Sequence, residues 1–348
     1  MNLVYSARYH IDIGPHVFPT RKYSLVHARL IEAGTIRPSD VVEPAPAGWD
    51  DLSRVHTAEY LAKMRDGTLS TGEVAELELP WSAEMVDAFR VMVGGTIQAA
   101  RIACGLQADD QPQRPPFAVA QDRPSTLRNQ VSASSANAAV DVVCHIGGGL
   151  HHAFPNHGEG FCPFNDVAVA VRDLQSRGLE RAAIVDLDVH HGNGTAFIFN
   201  PRGSGAPRVE DDVARVFTFS MHQQHNYPMW KPAGSLDIGL PDGAGDSRYL
   251  RELEQALPTV MASNPQCVFY LAGADPYEDD QLGGLRLTRE GLRQRDRIVI
   301  ECVRTAGVPL VITLAGGYAR HVEDTVTIHV ATVEEAMKST GKTRRRED

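Results

Sequence analysis

Short apolar runs alternate with longer stretches of helical period along almost the whole chain, and this alternation constrains the fold more than any other feature. The runs predicted to be strands are NLVYS, DVVCHI, AAIVDLDV, ARVFTFS, CVFYLA and PLVITLA. Several of the helical stretches between them end in Gly, the usual stop signal at a helix C-terminus. This order is typical of an α/β protein with a mostly parallel sheet.

The alternation continues throughout the 348 residues, which predicts one domain over residues 1–348. A hydrophobic content of 43% is sufficient for one large core. Two polar segments interrupt the pattern, at about 107–139 and 200–212, and both are predicted to be surface insertions. The basic and acidic end, about 340–348, is predicted to be a solvated tail.

The charge balance and the apolar runs exclude several classes of protein. A net charge of -10 argues against a nucleic-acid binder, which needs an excess of Lys and Arg facing phosphates. No apolar run approaches the roughly 18 residues of a membrane span, and the N-terminus does not resemble a signal peptide. With five scattered cysteines and no CxxC pair, we expect a cytoplasmic protein with reduced thiols.

Polar residues follow four of the predicted strands, in the motifs GGGLHH, DLDVHHGNG, GADP and AGGY. Ligands of open parallel sheets bind beyond the carboxyl ends of strands, so these motifs are candidate site residues. Asp186, Asp188 and His190 would project from one face if their strand stays extended. Asp188 and His190 could then bind one cation, with Asp275 as the best candidate for a third ligand. Zinc fits this set best, and ferrous iron and cobalt are alternatives.

An alternative interpretation gives these polar residues only structural roles. The aspartates would cap turns, and the histidines would be hydrogen-bonded within the core. Eight of the fourteen histidines lie between His145 and His225, and two HH pairs occur within this region. This concentration argues against the structural interpretation.

The motifs GGGLHHAFPNHGEGFCPFND, VDLDVHHGNGT, FTFSMHQ, LAGADP and LAGGY resemble those of the histone deacetylase family, within the arginase and deacetylase superfamily. They occur in the family's order and at similar spacing. YHIDIGPHVFPTRKY and DDQLGGLRLTREGLRQRD look closest to the class IV branch and its bacterial relatives. The resemblance implies a single domain in which an eight-stranded, mostly parallel sheet lies between helices.

The resemblance also implies roles for individual residues. The implied zinc ligands are Asp188, His190 and Asp275. The implied catalytic residues are His152 as general base, His151 as its electrostatic partner, Asp186 and Asn193 as their respective hydrogen-bond partners, and Tyr318 as donor to the substrate carbonyl. The implied acyl-lysine tunnel residues are Gly160, Phe161 and Tyr227. The implied potassium site comprises Asp186, Ser220 and Met221, with Asp188 and His190.

The leading functional hypothesis is a zinc-dependent hydrolase that removes acetyl or longer acyl groups from lysine side chains of proteins or peptides. One alternative is an acetylpolyamine or other small-molecule amidohydrolase, since a fold and metal site do not settle the substrate. Another is an inactive protein that binds metal or acyl-lysine. Glu159 is expected to be solvated, but an acidic gate formed by Glu159 or Asp279 would favour polyamines. The oligomeric state is left open.

Overall fold

The computed structural model describes residues 1–106, 142–200 and 215–339. The predicted insertion at 107–139 and the predicted tail at 340–348 therefore lie outside the described residues. The same holds for the insertion at 200–212, apart from Asn200.

Eight parallel strands form one sheet. In chain order they are β1 (Asn2–Val4), β2 (Val41–Val42), β3 (Val142–His145), β4 (Ala182–Asp186), β5 (Val216–Gln223), β6 (Leu236–Leu240), β7 (Cys267–Leu271) and β8 (Leu310–Thr313). Their order across the sheet is β2-β1-β3-β8-β7-β4-β5-β6, and every pairing is parallel. The predicted eight-stranded parallel α/β fold is confirmed.

The described helices pack around the sheet. They span Lys22–Glu32, Trp49–Leu52, Ala58–Asp66, Thr71–Leu77, Ala83–Ala103, Asp166–Ser176, Asn193–Phe199, Asp246–Ala262, Arg289–Thr305 and Val322–Ser339, with short 3-10 helices at Ala7–Tyr9 and Pro38–Asp40. Strands β3, β4, β7 and β8 are buried along their entire length, as expected for a parallel sheet covered on both faces. None of the described helices has the length and apolar character that crossing a membrane requires.

Two groups of helices pack against this sheet. In the first, Ala83–Ala103 contacts Asp166–Ser176, which in turn contacts Asn193–Phe199. In the second, Val322–Ser339 contacts both Lys22–Glu32 and Arg289–Thr305. The core therefore consists of the sheet and the apolar sides of both groups.

The buried side chain of Arg295 links the ends of two strands. Arg295 is fully buried, and its Nη1 donates to the carbonyl oxygens of Gly273 at 2.6 Å and Leu187 at 3.4 Å. Its Nε and Nη2 donate to Asp296 Oδ1 at 3.0 and 2.8 Å. Because Leu187 follows β4 and Gly273 lies two residues beyond β7, one side chain fixes the spacing of the loops after both strands.

Candidate active site and metal centre

The four polar motifs converge because they follow four neighbouring strands. GGGLHH lies beyond β3, AGGY beyond β8, GADP beyond β7 and DLDVHHGNG at the end of β4, and these strands are adjacent in the order β3-β8-β7-β4. All strands run parallel, so the four loops meet at the carboxyl edge of the sheet.

Asp188, His190 and Asp275 form the candidate metal centre. Each offers one ligand atom, these atoms lie within 4.8 Å of one another, and all three residues are buried. Strand β4 ends at Asp186, so the strand does not stay extended through the next two motif positions. A bend instead brings Asp188 Oδ1 to 3.0 Å from His190 Nδ1, which lies 3.6 Å from Asp275 Oδ2.

The chemistry around these atoms fits a divalent cation. Asp275 Oδ2 is buried and has no hydrogen-bond partner among the described residues, although Oδ1 accepts from the Val189 amide at 2.9 Å. Burial and the neighbouring Asp188 carboxylate raise the pKa of Asp275 to about 7. A Cβ at Gly316 would lie 2.0 Å from Asp275 Oδ2 and 2.4 Å from Asp188 Oδ2, so this loop needs glycine. Two buried carboxylates and one imidazole match the mixed oxygen and nitrogen donors that zinc accepts.

The tandem histidines differ in their partners and therefore in their charge. His151 Nδ1 donates to Asp186 Oδ2 at 2.7 Å, whereas His152 Nδ1 donates to the amide oxygen of Asn193 at 2.7 Å. Burial opposes a charge on His151, but Asp186 and Asp188 outweigh it and raise the pKa of His151 to about 9. Burial, followed by the charge of His151, lowers the pKa of His152 well below its usual value. His152 is thus neutral, and because Nδ1 carries the ring proton, Nε2 is unprotonated.

Aromatic rings surround the approach to these groups. The ring of Tyr318 lies 5.9 Å from Phe161, and that of Tyr227 lies 5.0 Å from His152. Phe18 stacks on Phe161 at 5.9 Å. The pocket, about 310 Å³ including the open space at its mouth, is lined by Phe18, Tyr23, Gly148, Gly149, Leu150, His151, His152, Gly160, Phe161, Cys162, Asp188, Ala315, Gly316 and Tyr318.

The histone deacetylase domain model matches residues 16–333 of this sequence. The chain belongs to the histone deacetylase family.

Relatives support this membership across most of the chain. An uncharacterized protein from Picosynechococcus sp. is 38% identical, with 90% of both chains covered. Histone deacetylase 2 from Arabidopsis thaliana is 27% identical, covering 92% of this chain and 75% of the relative. A probable deacetylase from Archaeoglobus fulgidus is 29% identical, covering 86% of this chain and 76% of the relative.

Solved structures confirm the fold. The structure of an HDAC homolog complexed with SAHA matches with a TM-score of 0.72 and 21% identity, covering 99% of this chain and 85% of that one. An HDAC homolog from Aquifex aeolicus matches with a TM-score of 0.70 at the same identity and coverages. At this identity the likeness concerns the fold alone.

Several residues of this deacetylase-family site were not predicted from the sequence, among them Lys22 and Tyr23. The Lys22 side chain is fully buried, donates from Nζ to the Ala315 carbonyl at 2.7 Å and lies 5.5 Å over the Tyr318 ring. Tyr23, its neighbour, lines the pocket, and its buried hydroxyl has no hydrogen-bond partner within the part of the chain that the structure describes. Both residues occur in the sequence FPTRKY, but nothing in that sequence predicts that the helix Lys22–Glu32 begins beside the pocket.

Glu159 corrects an expectation, because it is not a freely solvated side chain. Only 14% of the side chain is exposed. Its Oε1 accepts from Asn193 Nδ2 at 2.8 Å and from the Tyr227 hydroxyl at 2.7 Å. The carboxylate is therefore connected to the partner of His152.

Two residues of the predicted potassium site, Asp186 and Ser220, are neighbours across strands β4 and β5. Ser220 lies opposite Asp186 in the register of β4 and β5, and both Ser220 and Met221 are buried. The Ser220 hydroxyl lies 3.0 Å from His222 Nδ1. Potassium binding here stays a prediction.

Proposed function

We propose that this protein is a zinc-dependent hydrolase that removes acyl groups from the side-chain amine of lysine in proteins or peptides. The observation that carries the proposal is the geometry of His152, whose Nδ1 is held by Asn193 at 2.7 Å beside the buried set Asp188, His190 and Asp275. Such a base, next to a metal centre and at the end of an aromatic-lined pocket, suits hydrolysis of an amide.

The proposed mechanism assigns a step to each residue around the substrate. Zinc held by Asp188, His190 and Asp275 would supply a Lewis acid that polarises the acyl carbonyl and acidifies a water molecule. His152 accepts the proton of the attacking water on Nε2, because its Nδ1 proton is held by Asn193. The Tyr318 hydroxyl donates to the oxygen that gains negative charge. His152 then returns its proton to the departing lysine amine.

The cationic His151 assists this sequence without contacting the substrate amide. Its Nε2 lies 3.1 Å from His152 Nε2, so its charge disfavours early protonation of the base. Asp186 in turn keeps His151 charged and fixed in orientation. The two histidines therefore have separate tasks, proton transfer and electrostatic control.

The position of Glu159 supports a lysine substrate over a free polyamine. Its carboxylate already accepts hydrogen bonds from Asn193 and Tyr227, so it is not free to hold the second amine of a polyamine. Asp279 pairs with Arg320 at 3.2 Å, but both side chains are exposed, so this ion pair is weak and does not decide between the two substrates. The insertion at 107–139 lies outside the described residues and does not enter this argument.

The test is a substrate panel for the zinc-loaded protein. Lysine peptides with acyl groups from acetyl to myristoyl are assayed beside acetylpolyamines, with His152→Ala as the blank and His10→Ala, at an exposed histidine, as the matched control. We expect peptide hydrolysis that His152→Ala abolishes and His10→Ala retains. Polyamine turnover far above every peptide would establish the small-molecule alternative, and metal binding without any hydrolysis would establish the inactive one.

A further inference from the structure

We propose that Glu159 is a positioning residue for the general base, acting through Asn193. The inference deepens the proposed hydrolytic function and rests on it. Tyr227, Glu159, Asn193 and His152 form a continuous chain of hydrogen bonds from the tunnel wall to the base.

The argument begins with the two ends of the Asn193 side chain. Its oxygen accepts from His152 Nδ1 at 2.7 Å, and its nitrogen donates to Glu159 Oε1 at 2.8 Å. If the amide turned over, two donors would face each other at His152. An ionised carboxylate can only accept hydrogen bonds, so Glu159 favours the orientation in which the amide oxygen faces His152.

Glu159 is held in this ionised state by its surroundings. Partial burial works against the charge, but hydrogen bonds from His157, Tyr227 and Asn193 outweigh it and hold the pKa of Glu159 below its usual range. Asn193 is only 1% exposed, so bulk water has little access to replace the carboxylate as its partner. The orientation of the amide therefore depends on Glu159.

The same geometry explains why residue 193 is an amide in this chain. An aspartate there would place a second carboxylate at the contact that now measures 2.8 Å, in a nearly dry environment. Like charges at this separation are unfavourable. The identities of residues 159 and 193 are thus coupled. Exchanging the carboxylate and the amide between the two positions should restore the hydrogen bond that either single substitution disturbs.

The experiment is a charge-swap cycle with Asn193→Asp, Glu159→Gln and the double variant. Asn193→Asp should lower kcat on the order of tenfold or more, with little change in KM, because residues in direct contact are strongly coupled. Glu159→Gln keeps an acceptor oxygen and should lose only a few-fold. In the double variant the introduced amide nitrogen can donate to both the new carboxylate and the Tyr227 oxygen, and kcat should return to within a few-fold of the unsubstituted protein.

A matched control separates this contact from a general loss of charge. Glu76→Gln removes a carboxylate on the other side of His157, 3.6 Å from its Nε2, but does not touch Asn193. We expect its kcat to be unchanged. A double variant no more active than Asn193→Asp would overturn the proposal, as would an unchanged kcat in Glu159→Leu, which removes the acceptor.

A second readout needs no substrate. The His152 Nδ1–H resonance in ¹⁵N NMR should be shifted or broadened in Glu159→Leu and retained in the swap variant and in Glu76→Gln. If no acyl amine is hydrolysed, the proposed function fails while this signal still reports on the contact. An unperturbed signal in Glu159→Leu would contradict the positioning role independently.

Discussion

At the scale of single residues, the Tyr318 hydroxyl is kept as a donor by its surroundings. Burial, followed by the charges of Asp188 and Asp275, raises the pKa of Tyr318 well above its usual value. The hydroxyl therefore stays protonated over the physiological range. We expect Tyr318→Phe to lower kcat by about 100-fold to 1000-fold, the usual cost of removing one such donor. Steady-state kinetics and metal analysis together check this, and near-normal turnover with full metal content would exclude the assigned role.

His190 predicts how metal binding depends on pH. Burial disfavours its charge, but Asp188 and Asp275 outweigh burial and raise the pKa of His190 to about 10 in the metal-free protein. A bound metal must displace that proton. Below pH 10 the proton competes, so apparent zinc affinity should rise with pH, by up to about tenfold per unit for each proton released. Competition with a chromophoric chelator between pH 6 and 8 measures the slope, and a flat profile would contradict the expectation.

At the scale of elements, the loop after β8 makes room for the metal centre. Gly316→Ala would bring a Cβ to 2.0 Å from Asp275 Oδ2 and should displace the ligand carboxylates. We expect loss of metal binding and of activity, with the circular dichroism spectrum retained. Gly72→Ala is the matched control, because the closest heavy atom to its new Cβ lies 3.9 Å away. Full metal content in Gly316→Ala would show that this loop does not confine the site.

The elements also show what could be predicted from the sequence. The predicted strands were found because Val, Ile and Phe dominate them, whereas β2 has only two residues and β6 contains Asp237 and Gly239, which are rare in strands. The helix Thr71–Leu77 has only a weak sequence signal, because seven residues hardly establish a helical period. Two motifs at strand ends, DLDVHHGNG and GADP, sufficed to predict that Asp188, His190 and Asp275 would lie close together. The contact of Glu159 with Asn193 was not predicted, because the two residues are 34 positions apart in the sequence and only folding brings them together.

At the scale of the whole molecule, buried neutral histidines make stability sensitive to acid. His56 Nδ1 donates to the Phe154 carbonyl at 3.0 Å while Nε2 accepts from the Asn165 amide at 3.1 Å, an arrangement that a second ring proton would break. Burial lowers the pKa of His56 to about 4 and that of His145 to about 3. Both are therefore far below the value of about 6.5 in the unfolded chain.

The sign of the pH dependence follows from these depressed values. Below pH 6.5 these histidines take up protons in the unfolded chain but stay neutral in the folded protein. Their contribution to the free energy of unfolding is therefore complete above pH 6.5 and is lost as the pH falls towards 4. Each histidine should remove about 1.4 kcal/mol of unfolding free energy per pH unit in this window. His151, with its raised pKa, acts above this window instead. Asp275, whose pKa is raised to about 7, takes up a proton in the folded protein within the window and offsets the slope of one histidine in the metal-free protein. Urea unfolding at pH 7 and pH 5 tests the slope, and equal stability would refute it.

The side chain of Arg295 ties the loops after β4 and β7 through two carbonyl oxygens. Asp188 follows the first of these carbonyls by one residue, and Asp275 follows the second by two. The mutually repelling carboxylates of Asp188 and Asp275 are thus held at a fixed spacing by Arg295, which contacts the backbone beside them and not the carboxylates themselves. Such a site is preorganised: it gives up little conformational entropy when an ion enters, and it resists relaxing to suit ions of another size. Metal selectivity in this protein would therefore depend partly on the buried guanidinium of Arg295.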